Sequence, residues 1–206
     1  MEYTHSFQNK TLFFRCGNAQ RDTAEFFSSL LEREDGAHHI LRNGYTLQIG
    51  WGFYRILEIG GQYQILACDI SGDPFQDFTG DLSLSLEIFA AQRIALSTAK
   101  VTPVETSFQD TMIVQRTAVN ASRVYLQRSE PGEPPDSGWY MGAVEERAPK
   151  DPAAYARIYT YQLLGFCREA LSVIQFPLGT LCVFEGGRLV EAVDRNHKVL
   201  LEGPAG

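Results

Sequence analysis

Pro134-Pro135-Asp136-Ser137-Gly138-Trp139-Tyr140-Met141-Gly142 follows the strand-like run Val124-Tyr125-Leu126-Gln127-Arg128 across a Glu/Pro-rich loop. Pro135 pushes the residue before it toward extended backbone. Asp136 and Ser137 can bond back to nearby amides, and Gly138 allows a tight or left-handed turn. Trp139 can then enter a strand, bury a large ring and donate its indole N–H to a partner. The stretch reads as a turn followed by a strand anchor, with no catalytic chemistry of its own.

Working outward, Thr111 to Arg116 and Ser122 to Arg128 alternate like strands, with Val119-Asn120-Ala121 between them. A long helix is expected from Thr160 to Gln175, stopped by Pro177, and then a hairpin of Leu181 to Phe184 and Leu189 to Val193 around Gly186-Gly187. Toward the N-terminus, Ala24, Phe27, Leu30 and Leu31 recur at helical spacing within Asp22 to Arg33, with Asp22 or Thr23 as cap and Gly36 as stop. Strands are expected over Tyr45 to Ile49, Gly52 to Ile59 and Gln62 to Asp69, with tight turns at Asn43-Gly44 and Gly60-Gly61. Asp81 caps a helix from Leu82 to Ser97, whose face is Leu82, Leu86, Phe89, Ala90 and Ile94. This order is α+β, with mainly antiparallel strands and about three main helices. A boundary between residues 1–110, a helix-plus-meander unit, and residues 111–206 is expected, unless the two merge into one globule.

Composition narrows the function. The 206-residue chain carries a net charge of −7, which disfavours nucleic acid and anionic lipid as partners and favours a basic protein. Six acids (Glu58, Asp69, Asp73, Asp77, Asp81, Glu87) and no Lys or Arg lie between Ile56 and Gln92. No apolar run approaches the 18 residues or more of a membrane span, and the N-terminus lacks a secretory pattern. Cys16, Cys68, Cys167 and Cys182 are far apart and form no CxxC pair, so reduced, buried thiols and a cytoplasmic setting are expected. The Gly203-Pro204-Ala205-Gly206 tail and the loop Ser129 to Pro135 read as disordered.

Candidate chemistry is thin. Asp69-Ile70-Ser71-Gly72-Asp73 has a faint calcium-loop look, but glycine stands at the fourth position instead of the sixth and Gly80 occupies the twelfth. Asp69, Asp73 and Asp77 therefore read as turn residues and as a partner-facing acidic surface. His38-His39 point to opposite faces of a strand, and no zinc spacing occurs. Ser137 is in no nucleophile elbow, Cys167 reads as a core thiol, and Gly50-Trp51-Gly52 lacks the glycines of a dinucleotide site. Neither a metal nor a cofactor is expected. Tyr155, Tyr159 and Tyr161 are candidate interface aromatics, or else rings at the edge of the core with wet hydroxyls.

The order of pieces from about Val119 to Val193 resembles the Imm33-like immunity domain of bacterial toxin–immunity systems. These pieces are Tyr125-Leu126-Gln127-Arg128, the Glu/Pro loop, Asp136-Ser137-Gly138-Trp139, Gly142, the pair Glu145-Glu146, the Asp151-Pro152 break, a helix and Phe176-Pro177-Leu178-Gly179. Ala143-Val144 separate Gly142 from the acidic pair, and Arg147 and Lys150 dilute the acidic run. The resemblance implies a non-enzymatic cytoplasmic protein that binds and neutralises one cognate toxin or effector by occlusion. Partner-binding residues would be Asp69, Asp73, Asp77, Glu145, Glu146 and Tyr155. The rival reading is an intracellular regulatory or scaffold module with no toxin partner. Composition is the same for a monomer as for a homodimer and assigns no oligomeric state.

Overall fold

Alternation of apolar and polar residues generates two mainly antiparallel sheets, and the architecture is α+β. The computed structural model describes residues 1–203, so most of the Gly203–Gly206 tail lies outside the described residues. The chain divides into two compact units, Met1–Ala90 and Ala91–Gly206.

The first unit opens with a hairpin of β1 (Glu2–Phe7) and β2 (Lys10–Arg15) that the sequence reading did not anticipate. Its signal is short: Leu12, Phe14 and Cys16 alternate into the core while the residues of β1 stay half-exposed or exposed. Helix α1 (Arg21–His38) follows. Then come β3 (Thr46–Ile49), β4 (Gly52–Ile59), β5 (Gln62–Cys68) and the short β6 (Phe78–Thr79). The sheet order is β1-β2-β5-β4-β3, with β6 pairing β5, and β2 runs parallel to β5. The Gly60-Gly61 hairpin forms as expected, with both glycines at positive φ.

Helix α1 lays Ala24, Phe27 and Leu31 on this sheet, where Phe27 meets Tyr54 at 4.7 Å, Phe89 at 5.8 Å and Phe14 at 6.2 Å. Gly36 does not end the helix. One helical glycine costs only about 1 kcal/mol, and the chain turns at His39, in left-handed conformation with its N–H on the Asp35 carbonyl. Nor do Asp22 and Thr23 cap it, because the chain enters through a 3-10 turn at Asn18–Gln20 that makes Gln20 the capping position. Asp35 is buried, accepts from the Lys10 ammonium, and takes the Leu41 amide at 2.9 Å.

Helix α2 (Ser83–Ala99) carries the division between the units. Asp81 caps it as expected, its Oδ1 accepting from the Ser83 amide at 3.0 Å and hydroxyl at 2.5 Å. Leu82 and Leu86 are fully buried, whereas Ile94 is 65% exposed. The buried stripe in the second half instead runs Ile88, Gln92, Ala95, a spacing of four then three that rotates Ile94 away from the core.

The second unit is a seven-stranded sheet of β7 (Thr111–Gln115), β8 (Arg123–Arg128), β9 (Asp136–Ala143), β10 (Tyr155–Tyr159), β11 (Leu181–Glu185), β12 (Arg188–Val193) and β13 (Val199–Glu202). Its order is β10-β7-β9-β8-β11-β12-β13, so β9 lies between the consecutive β7 and β8 and pairs β7 in parallel. Residues 136–142 form most of β9, an interior strand of this sheet. Gly138 has φ +76°, and a Cβ there would sit 2.2 Å from the Ser129 carbonyl oxygen. Asp136 accepts from the Gly132 and Gly138 amides, and Ser137 Oγ donates to the Thr111 carbonyl at 2.8 Å. Trp139 is buried and its Nε1 donates to the Ile174 carbonyl at 2.8 Å.

The expected helix from Thr160 to Gln175 is replaced by two 3-10 segments, Thr160–Gly165 and Arg168–Ser172. Phe166 and Cys167 leave helical geometry between them. The reason is burial on all sides: Leu163, Cys167, Ala170, Leu171, Val173, Ile174 and Phe176 are all buried, which no one-faced amphipathic helix provides. The segment is held by Arg128, a buried residue on the inner face of β8. Its Nη1 donates to the carbonyls of Phe176 (2.6 Å), Val104 (3.2 Å) and Ile174 (3.4 Å). Its Nη2 donates to Thr106 Oγ1 (2.7 Å) and the Glu105 carbonyl (3.3 Å). Burial pushes the guanidinium down to about 10, so it stays charged at neutral pH.

Replacing Arg128 by Met keeps the volume and strands these carbonyls, so Arg128→Met should cost about 3–5 kcal/mol, as when one partner of a buried charged network is removed. Urea denaturation followed at Trp139 reads the loss. A change under 1 kcal/mol contradicts it. A second prediction concerns Asp35. Burial raises its carboxyl, but the Lys10 ammonium and the Leu41 amide outweigh this and hold it below the ordinary value. Its contribution is therefore complete above the unfolded value of ~3.9 and is lost as pH falls through the folded one. Lys10→Met leaves burial in command, raising the carboxyl. The variant should lose about 2 kcal/mol at pH 7, and the gap to the parent should narrow as pH drops below about 4.

Candidate functional site

The six residues expected to meet a partner fall in two places. In the first unit, Asp69, Asp73 and Asp77 share the loop between β5 and β6. Their carboxylates are engaged locally: Asp69 Oδ1 accepts from the Ser71 amide (2.9 Å) and hydroxyl (2.6 Å). Asp73 accepts from the Phe75 amide and Gln76 Nε2, and Asp77 Oδ2 from the Asp73 amide at 2.9 Å. The Ser71 hydroxyl and amide hold the Asp69 carboxyl below its usual range. The loop is thus folded by its own charges, which remain at the surface. Among the described residues no three His, Cys, Asp or Glu side chains converge as metal ligands.

In the second unit, the outer face of the sheet gathers three tyrosines from three strands. Tyr140 on β9 lies 5.7 Å from Tyr125 on β8 and 6.1 Å from Tyr155 on β10. Period-two alternation produces this: Trp139 and Met141 point inward and are buried, so Tyr140 and Gly142 point out. The Tyr125 ring lies directly over Gly142, where a Cβ would come within 2.8 Å of ring atoms. Beside the rings, Gln115 Nε2 donates to Thr117 Oγ1 and Glu146 Oε2, both at 2.8 Å, while Thr117 Oγ1 donates to the same carboxylate at 2.7 Å. Gln115 Oε1 takes the Ala143 amide and the Tyr140 hydroxyl. Burial, reinforced by Tyr125 and Tyr155, pushes the Tyr140 phenol above its ordinary value, so it stays protonated at neutral pH.

The structure therefore joins Tyr155 and Glu146 to one cluster, through Tyr140 and Gln115, and leaves Glu145 exposed next to it. Tyr155 also donates to the Pro149 carbonyl at 2.8 Å. Tyr159 and Tyr161 stack on each other at 6.0 Å, farther along the chain. Tyr125, Tyr140 and Gln115 were not singled out from sequence. Their signal is visible only once β7, β8 and β9 are known to be neighbours.

The second unit, with its seven strands and buried Arg128–Trp139 pair, coincides closely with a known domain: the family model of the Imm33-like domain matches residues 91–194. The chain belongs to the Imm33-like family. No curated protein and no solved structure matches it. Glu145, Glu146 and the tyrosine face lie inside the Imm33-like domain, whereas Asp69, Asp73 and Asp77 lie before it.

All four cysteines of this Imm33-like protein are buried and free. Burial pushes the Cys68 and Cys167 thiols up to about 11 and Cys182 higher still, so they are neutral packing groups. No helix among the described residues is long and apolar enough to cross a membrane.

Gly142→Ala should swing the Tyr125 ring off its seat, because the nearest atoms are the far end of a rotatable side chain. The cost should be about 1 kcal/mol, with clear displacement of the Tyr125 and Tyr140 ring signals in an NMR spectrum. Unmoved ring signals contradict the assignment of Gly142 as the seat.

Proposed function

We propose that the protein is a cytoplasmic immunity protein that binds a cognate bacterial toxin or effector and neutralises it by occlusion, without a catalytic step. Membership of the Imm33-like family over residues 91–194 carries this reading. The charge distribution supports a basic surface on the partner. Of the net −7, the first 90 residues supply −6, from twelve acidic and six basic side chains. A field of that sign steers a basic protein toward the molecule and speeds encounter. The outward tyrosines of the second unit offer rigid, amphipathic contact area suited to holding it.

The toxin to test is the product of the gene adjacent to this one. Co-expression should rescue growth, and a neighbour that is harmless alone rules the reading out in favour of a regulatory or scaffold module. The electrostatic part is tested with Asp73→Asn/Asp77→Asn, since Asn keeps an acceptor oxygen for the loop and removes two charges. The association rate should fall several-fold at low salt, with a shallower salt dependence. Equal rates at every ionic strength would remove steering from the account.

A further inference from the structure

Strand β3 is the outer edge of the first sheet, and no strand among the described residues pairs with its free side. Its residues, Thr46-Leu47-Gln48-Ile49, include no charge and no proline, the two devices that most often blunt such an edge. The register fixes which groups face outward. β3 and β4 are joined by the two-residue turn Gly50-Trp51, so Ile49 and Gly52 form the closing hydrogen-bonded pair. Leu47–Tyr54 is then the next hydrogen-bonded pair, and the N–H and C=O of Thr46 and Gln48 point away from β4.

A groove of about 340 Å³ adjoins this edge, between α1 and β3. Leu30 and Ile40 supply its apolar wall, Leu47 and Ile49 its floor, and Glu34 with His38 its rim. Glu34 and His38 stand 4.0 Å apart, and both side chains are substantially exposed. A free backbone edge beside an apolar groove is the arrangement that captures an extended chain: the edge supplies main-chain hydrogen bonds and the groove reads alternate side chains.

We propose that β3 takes an extended basic segment of a partner protein as an added strand, with one aliphatic or aromatic side chain in the Leu30–Ile40–Leu47 groove. Lys or Arg two residues to either side falls on the same face of that strand and meets the Glu34 rim. Glu34 already meets Arg33 at 3.4 Å, and it is the net charge of the unit that favours this occupant. The unit that carries the groove holds a net −6, so an acidic strand is repelled and a second copy of the same unit faces like charge. The proposal lies outside the Imm33-like domain and does not rest on the immunity reading.

The probe is the acetylated, amidated heptapeptide Thr-Lys-Thr-Ile-Thr-Lys-Thr, titrated into the full chain labelled with ¹⁵N. The amides of Thr46 to Ile49 and of Leu30 and Glu34 should shift together, and the analogue with both Lys replaced by Glu should bind at least about tenfold more weakly. Thr46→Pro removes one outward N–H at an edge that tolerates proline and should weaken binding by a similar factor. Glu34→Lys, which leaves the strand untouched, should reverse the preference between the two peptides. Shifts confined to other strands, or binding unaffected by both variants, overturn the proposal. Concentration-dependent self-association that Thr46→Pro abolishes overturns it in favour of a second copy as the occupant.

Discussion

A guanidinium buried beneath a sheet, bonded to four carbonyls and a hydroxyl rather than to a carboxylate, is the constraint on which the second unit depends. A charge in an apolar interior is tolerated only when its donors are satisfied. Arg128 satisfies both terminal nitrogens, though not its buried Nε, by fixing backbone groups far away in sequence, at Val104 to Thr106 and at Ile174 to Phe176. Trp139 lies beside it, with the guanidinium 5.5 Å from the ring centroid, and shares the Ile174 carbonyl. The Arg128 carbonyl and amide in turn bind Gly179 and Thr180. One side chain thus ties the strand to two connecting segments, and the 160–176 stretch takes the shape that presents its carbonyls there.

This explains which parts of the fold were legible. Features written in local chemistry came through: the Gly60-Gly61 turn, the Asp81 cap, the left-handed Gly138 and the buried, hydrogen-bonded Trp139 all follow from a few adjacent residues. The helix expected over Thr160 to Gln175 did not, because its apolar spacing fits a helix while its burial is set by Arg128 and the sheet. Ile94 failed for a related reason. Its position on a helical wheel is apolar, but the helix changes what it faces along its length, and Gln92 is buried in its place with Nε2 on the Leu171 carbonyl. The β1–β2 hairpin was missed because β1 is polar enough to pass for a loop.

Candidate site residues divide along the same line. The aspartates of the 69–77 loop were legible as turn formers and as surface charge, and both roles are compatible: each carboxylate accepts a local bond while staying at the surface. Tyr125, Tyr140 and Gln115 were illegible, because they converge only through the order β10-β7-β9-β8, in which β9 inserts between two consecutive strands. Sequence alternation tells which side of a strand a residue takes but not which strand lies beside it.

The proposed function would give the two units different kinds of recognition chemistry. Charges held at fixed positions by their own loop act over roughly the Debye length of about 8 Å at physiological salt, and they affect how fast a partner arrives more than how long it stays. Packed aromatic rings act only in contact, and their effect appears in the dissociation rate. In the binding role proposed for this protein, acidity in residues 1–90 and tyrosines in the Imm33-like domain are separable contributions. In that role, a sequence change in the acidic unit would alter the speed of capture without rebuilding the Arg128-centred second unit.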